Sequence, residues 1–189
     1  MTDFIPPAKP IVGEDEIAAV TRVIRSGMLA QGPEVKAFEE EFSAHFGLGR
    51  ACVAVNSGTS GLHLGLLSSG VGVGDEVIVP SFTFAATANS VALTGATPVF
   101  ADIEPDTFCL DPASVDAAIT ERTVGIMPVH LYGHPASMGP LRELADRHGL
   151  KLFEDAAQAH GASLDGTPVG AFGQFAMFSL YPTKNMTSG

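Results

Sequence analysis

Apolar side chains recur along this chain with helical spacing at first and in short solid runs later. Over residues 14–26 they fall at Ile17, Val20 and Ile24, one face of a helix, and Gly27 follows as a stop. Pro33 suits a first helical turn, and Val35, Phe38 and Phe42 continue in register until Gly47. Residues 1–48 are therefore read as an N-terminal helical segment. From there the pattern alternates. Continuously apolar runs at 51–55, 77–79, 98–101, 124–129, 151–153 and 175–179 predict strands, and 59–67, 85–93, 112–119 and 138–148 predict helices between most of them. Strands that are apolar throughout are covered on both faces, so residues 49–189 predict a three-layer α/β/α sandwich with a mostly parallel sheet. Ligands of such sheets sit beyond the carboxyl ends of the strands, which marks the loops to read for chemistry.

Composition sharpens this picture. Hydrophobic residues make up 46 % of the 189 and charged residues only 16 %, against about 25 % charged in an ordinary soluble domain. So little solvated face implies surface covered by further chain or a second subunit. The net charge of −11, with no cluster among the ten Lys and Arg, argues against a nucleic-acid partner. Residues 77–101 carry no charge, but Pro80, Gly95, Pro98 and many hydroxyls break them, so no membrane span is expected. Cys52 and Cys109 show no metal or redox spacing, and the start MTDFIPPAKP has no secretory pattern, so the cytoplasm is the expected location.

The loop after the run at 51–55 reads Asn56-Ser57-Gly58-Thr59-Ser60-Gly61 and opens directly into a helix bearing Leu62, Leu64 and Leu66. Small residues allow close backbone approach, and the amides of a helix start favour an anion. A tight turn with a hydroxyl cap accounts for the same residues. The loop lacks the lysine of a P-loop and the spacing of a serine-hydrolase elbow. Gly70, Gly72 and Gly74 precede a strand instead of following one, which excludes a dinucleotide loop.

Glu154-Asp155-Ala156-Ala157-Gln158 follows the run at 151–153, and Leu180-Tyr181-Pro182-Thr183-Lys184 follows the run at 175–179. Alone, such an Asp is ordinarily a cap and such a Lys a solvated charge. Together an Asp, a Lys, a hydroxyl and an anion loop converge on one sheet edge. Pyridoxal 5'-phosphate uses that set: an amine for its aldehyde, a carboxylate for its ring nitrogen, amides and hydroxyls for its phosphate. Phe82 or Phe84, after Pro80, lies where an aromatic face over the ring is needed. His130 and His134 span a strand end and a Gly-Pro loop and not a helix face, so a zinc site is not expected. His63 reads as a packed or capped core histidine, and the acidic run Asp102–Asp106 as an exposed turn.

At these residues the chain resembles the nucleotide-sugar aminotransferases of the DegT–StrS type, which have fold-type-I aminotransferase architecture. The resemblance rests on seven segments in order: SGMLAQGP at 26–33, NSGTSGLHLGL at 56–66, PSFTFAATANSV at 80–91, GATPVFADI at 95–103, HLYG at 130–133, EDAAQAHGA at 154–162 and FSLYPTKNMTSG at 178–189. It implies that Lys184 holds pyridoxal 5'-phosphate as a Schiff base and Asp155 pairs with the ring nitrogen. It further implies that Gln158 lies near the ring hydroxyl, Phe84 stacks on the ring, and Gly58, Thr59, Ser60 and Ser179 hold the phosphate. The implied reaction moves an amino group, commonly from glutamate, onto a keto sugar linked to a nucleoside diphosphate.

The family implies a homodimer and more chain after the lysine: the rest of a large domain and a small C-terminal domain. With Lys184 five residues before Gly189, the expectation is an incomplete large domain, without the small domain and inactive by itself. Two other readings stay open. One is a deoxysugar dehydratase, whose relatives carry histidine at the lysine position, so Lys184 favours transamination. The other is a non-catalytic domain that senses cofactor or sugar.

Overall fold

The computed structural model describes residues 8–188, so the reading of the first seven residues as no secretory leader lies outside it. Its strands are β1 (Glu76–Pro80), β2 (Thr97–Ala101), β3 (Thr123–Ile126), β4 (Lys151–Asp155), β5 (Ser163–Leu164), β6 (Thr167–Pro168) and β7 (Phe175–Met177). Five of them form one sheet in the order β2-β1-β3-β4-β7 with every neighbouring pair parallel, while β5 and β6 make a small antiparallel hairpin. The helices are α1 (Glu14–Ser26), α2 (Pro33–His45), α3 (Gly58–Ser68), α4 (Ala86–Leu93), α5 (Pro112–Ala118) and α6 (Met138–His148).

Strand alternation builds the layers. Val77, Val79, Phe153 and Met177 share one core with Leu62 and Leu66 of α3 and Val91 of α4. Ile78, Ile126 and Leu152, one residue out of phase, share the other with Val115 of α5 and Leu141 and Leu144 of α6. Burying each of these side chains contributes about 1.5–3 kcal/mol, which is why solid apolar runs form the strands between two helical layers. Helix ends follow local chemistry: Asp111 accepts from the Ala113 amide at 2.9 Å to start α5, and Gly27 and Gly149 end α1 and α6 at φ 72° and 66°.

The chain runs from β1 outward to β2, then crosses back to β3 on the other side of β1. That reversal opens a crevice above the carboxyl ends of β1 and β3. α3 reaches the same edge by lying close on β7. A Cβ on Gly65 would stand 2.5 Å from the Phe175 ring, and one on Gly61 2.9 Å from Met177.

Three strand expectations differ from the structure. Residues 51–55 form no strand, because no described strand lies beside them to complete a ladder; Val53 is 74 % exposed, and the Ala54 amide donates instead to Glu39 Oε1 at 2.7 Å. The runs at 124–129 and 175–179 are strand only to Ile126 and Met177, though Val129 still bridges Asp155. α1 forms as the periodicity predicts but buries no residue, whereas α2 docks through Phe42, whose ring lies 5.3 Å from Phe178.

Candidate active site

Loops from four carboxyl-terminal strand ends and the start of α3 line one open cleft of about 1500 Å³. β1 contributes Thr83 and Phe84, β4 contributes Asp155 and Gln158, and the segment after β7 contributes Ser179 and Lys184. Gly58 and Thr59 close it from the α3 side.

Asp155 ends β4 with its side chain buried. Thr87 Oγ1 donates to its Oδ2 at 2.8 Å and the Ala157 amide to its Oδ1 at 3.2 Å. Burial pushes this carboxyl up, and the bonds from Thr87 and Ala157 and the charge of Lys184 only partly counter it. Lys184 is also felt by His160, an imidazole pushed down by burial first and by the lysine's charge second. The charge of Lys184 thus acts on both groups, and its own amide donates to Tyr181 O at 2.8 Å.

The α3 start is capped from within. Ser57 Oγ accepts from the Ser60 amide at 3.1 Å and shares a hydrogen bond with the Ser60 hydroxyl at 2.9 Å. The amides of Gly58 and Thr59 bond no described residue, as the first turn of a helix leaves them, and both residues line the cleft. A Cβ on Gly58 would lie 3.7 Å from the Ser179 Cβ, so the helix start and the segment after β7 meet there.

Most of the singled-out residues therefore share the cleft, and Ser60 does not: its amide and hydroxyl are both engaged by Ser57. Of the two aromatic candidates, Phe84 lines the cleft at 76 % exposure, while Phe82 packs toward Phe108 at 6.0 Å between ring centres. Gln158 Oε1 accepts from the Tyr132 amide at 2.6 Å. The two histidines of the HxxxH spacing part company: His130 meets Glu154 in the interior, and His134 Nδ1 lies 2.8 Å from Pro135 O. Glu104 of the acidic run is not merely exposed, since it accepts from Thr107 and Ser137. Sequence reasoning missed Thr87, whose buried hydroxyl was hidden in an apolar helix pattern, and missed the His130–Glu154 pair.

A buried, under-solvated carboxylate, an amine, two free helix-start amides and a hydroxyl are the donor set that pyridoxal 5'-phosphate needs. The model of the DegT/DnrJ/EryC1/StrS aminotransferase family matches residues 10–189. The chain belongs to this family. Among curated relatives, it is 54 % identical over 169 residues to the dTDP-3-amino-3,4,6-trideoxy-alpha-D-glucose transaminase of Streptomyces venezuelae, covering 89 % of this chain and 44 % of the relative. It is 45 % identical over 186 residues to the spore coat polysaccharide biosynthesis protein SpsC of Bacillus subtilis, covering 98 % and 48 %. The crystal structure of S. venezuelae DesV in complex with a ketimine intermediate superposes with a TM-score of 0.88 at 52 % identity, covering 92 % of this chain and 46 % of DesV. The chain thus spans about half the length of the curated relatives it matches. Its parallel sheet and helical layers are those of the aminotransferase structures.

Proposed function

We propose that the protein carrying this chain is a pyridoxal-phosphate-dependent aminotransferase that moves an amino group, from glutamate, onto a nucleotide-linked keto sugar, as a cytoplasmic homodimer. One observation carries this reading: Asp155 is a buried carboxyl with too few donors for its charge, and it shares a cleft with Lys184 and with the free amides of Gly58 and Thr59. A cationic ring N–H would complete the solvation of Asp155, and a phosphate would take up the amides and the Ser179 hydroxyl. The named transaminase activity of the S. venezuelae relative supports the same class of reaction.

When bound, the cofactor supplies an electron sink for negative charge at the substrate's amino-bearing carbon. The chain's residues do the rest. Asp155 would keep the ring nitrogen protonated, and Thr87 and Ala157 hold that carboxylate in place. Lys184 Nζ would hold the cofactor's aldehyde carbon and, when free, accept the proton from the substrate carbon. Phe84 would cover one ring face and exclude water there. The apolar face of α1, left exposed at Ile17, Val20 and Ile24, would be covered in the dimer.

The test offers the protein pyridoxal phosphate, glutamate and a panel of keto-sugar nucleotides, and reads 2-oxoglutarate release and the mass of the aminated sugar. Borohydride reduction should fix the cofactor's mass on Lys184; a label on another lysine refutes the assignment. A deoxygenated and not aminated product would favour dehydration. The 189 residues by themselves should not turn over, because Phe84 stands open to water and near-attack geometry, worth about 7–11 kcal/mol, needs a closed site.

A further inference from the structure

We propose that the buried Glu154–His130 pair is a positioning device for the cofactor-facing edge of the cleft, setting separately where Asp155 and Gln158 stand. This rests on the reading of the cleft as a pyridoxal-phosphate site. Glu154 and Asp155 are successive residues of β4, so their side chains leave opposite faces of the sheet. Glu154 is fully buried and accepts three N–H groups: Gly173 at 2.6 Å, Gly170 at 2.7 Å and His130 Nε2 at 3.2 Å. The Ala136 amide donates to His130 Nδ1 at 3.0 Å, which leaves that nitrogen bare and assigns the ring proton to Nε2, toward Glu154.

Two routes lead from this pair to the site. On the first, His130 grips the end of β4 twice: its ring at Glu154, and its backbone amide at Asp155 O, 3.0 Å away, while the Asp155 amide donates to Pro128 O at 3.0 Å. The position of Asp155 is thus fixed from behind. On the second, the Ala136–His130 bond closes the loop 131–136. Within it Tyr132 sits at φ 54°, a conformation that costs a non-glycine residue energy and persists only when its surroundings over-determine it. The Tyr132 amide, so presented, holds Gln158 Oε1 at 2.6 Å.

A buried pair of a carboxylate and an imidazole N–H is a weak source of stability, and apolar packing would fill the same space as well. What it adds is direction: three hydrogen bonds tie His130 and the 170–173 turn to one carboxylate on β4, and a fourth ties the 131–136 loop to the His130 ring.

The experiment separates the two routes in the protein that carries this chain. His130→Gln keeps a donor for Glu154 and gives up the Ala136 contact; His130→Asn keeps an acceptor for Ala136 and gives up Glu154. Amide hydrogen exchange without cofactor is the first readout. His130→Asn should speed exchange at Ala157 by about tenfold or more and leave Tyr132 protected, His130→Gln should do the reverse, and Ile78 should stay as in the wild type. With cofactor, His130→Asn and Glu154→Gln should shift the visible band of the ring-protonated cofactor and lower kcat by about 10²-fold with the acceptor KM unchanged, whereas His130→Gln should keep the wild-type band.

Wild-type exchange, spectrum and kcat in folded Glu154→Gln and His130→Asn would overturn the proposal, as would the two histidine variants exchanging roles. Should Glu154→Gln fail to fold, the histidine pair decides. Should the wild type bind no cofactor, the reading of the cleft fails, and the exchange pattern alone judges the positioning.

Discussion

Two acids stand side by side at the end of β4 and meet opposite electrostatic fates. Burial alone would push both carboxyls up. At Glu154 the His130 ring and the amides of Gly173 and Gly170 outweigh it, and the carboxyl ends below its ordinary range. At Asp155 one hydroxyl, one amide and a more distant lysine do not, and the carboxyl ends above it. Burial weighs more heavily on Asp155, and donor count works in the same sense: three direct N–H groups at Glu154 against one N–H and one O–H at Asp155. Glu154 finds its full solvation inside the chain and acts as structure. Asp155 is left short, on the cleft side, where the proposed reading has a ligand complete it.

The sharpest way to break this comparison is to neutralise each acid without changing its shape. Asp155→Asn should cut turnover by about 10²–10³-fold, the scale for losing one preorganised electrostatic contact in a transition state. The loss should fall on kcat more than on KM, because the interaction strengthens as charge develops. Steady-state kinetics on the protein carrying this chain checks it, and unchanged kcat would make Asp155 a purely structural group.

Stability should move the other way. Glu154→Gln exposes a donor to donors in a sealed interior, at a cost of about 1–3 kcal/mol for each group left unsatisfied. A carboxyl held low stabilises the fold above its unfolded range, and that contribution is lost as pH falls through the folded value. The deficit of Glu154→Gln is therefore full at neutral pH and closes in strong acid. A carboxyl held high does the reverse: its contribution is greatest below the unfolded range and is lost as pH rises through the folded value. Without cofactor, Asp155→Asn should melt above the wild type at neutral pH, with the gap closing as pH falls into the carboxylate range. Thermal melts across pH check both signs, and a cofactor-free Asp155→Asn that melts below the wild type would refute the under-solvated carboxylate.

How much of this was legible in the sequence follows from what each signal depends on. The runs around Val77, Phe153 and Phe175 announce covered strands because both faces are apolar, and Gly27, Pro33 and Gly149 bound helices through backbone preferences that are local. Asp155 and Lys184 were readable as a pair because a parallel sheet sends both to one edge. Residues 51–55 carry the same apolar signature as β1 and yet form no strand, since a ladder depends on a neighbour and not on the run itself. Gly61 and Gly65 read as a pliable anion loop and its helix; the structure uses them to bring α3 down onto Met177 and Phe175. The sign of the Asp155 and Glu154 shifts was invisible, because it depends on amides of residues 157, 170 and 173 whose directions only the fold determines.

The same contrast between completed and uncompleted groups recurs on a smaller scale at the start of α3, where it yields the weakest and most specific expectation. Ser60 belongs to the phosphate-holding loop that the resemblance implies, after Gly58 and Thr59, and its amide and hydroxyl are both taken by Ser57. Among the described residues nothing takes the amides of Gly58 and Thr59, and Ser179 Oγ there only accepts a 3.4 Å contact from the Tyr181 amide, so its proton can be donated. Ser60→Ala should therefore leave cofactor affinity within about twofold of wild type, on the roughly 0.5 kcal/mol scale of a neutral substitution. Ser57→Ala should cost about 1 kcal/mol of stability by uncapping α3. Ser179→Ala, removing a donor aimed at a charged group, should weaken the cofactor by about 1.5–3 kcal/mol, at least tenfold. Cofactor titrations by fluorescence, with melts run in parallel, rank the three. If Ser60→Ala weakens binding as much as Ser179→Ala, the hydroxyl leaves Ser57 when the phosphate arrives, and hydrogen bonding in the cofactor-free chain is no guide to which groups the ligand uses.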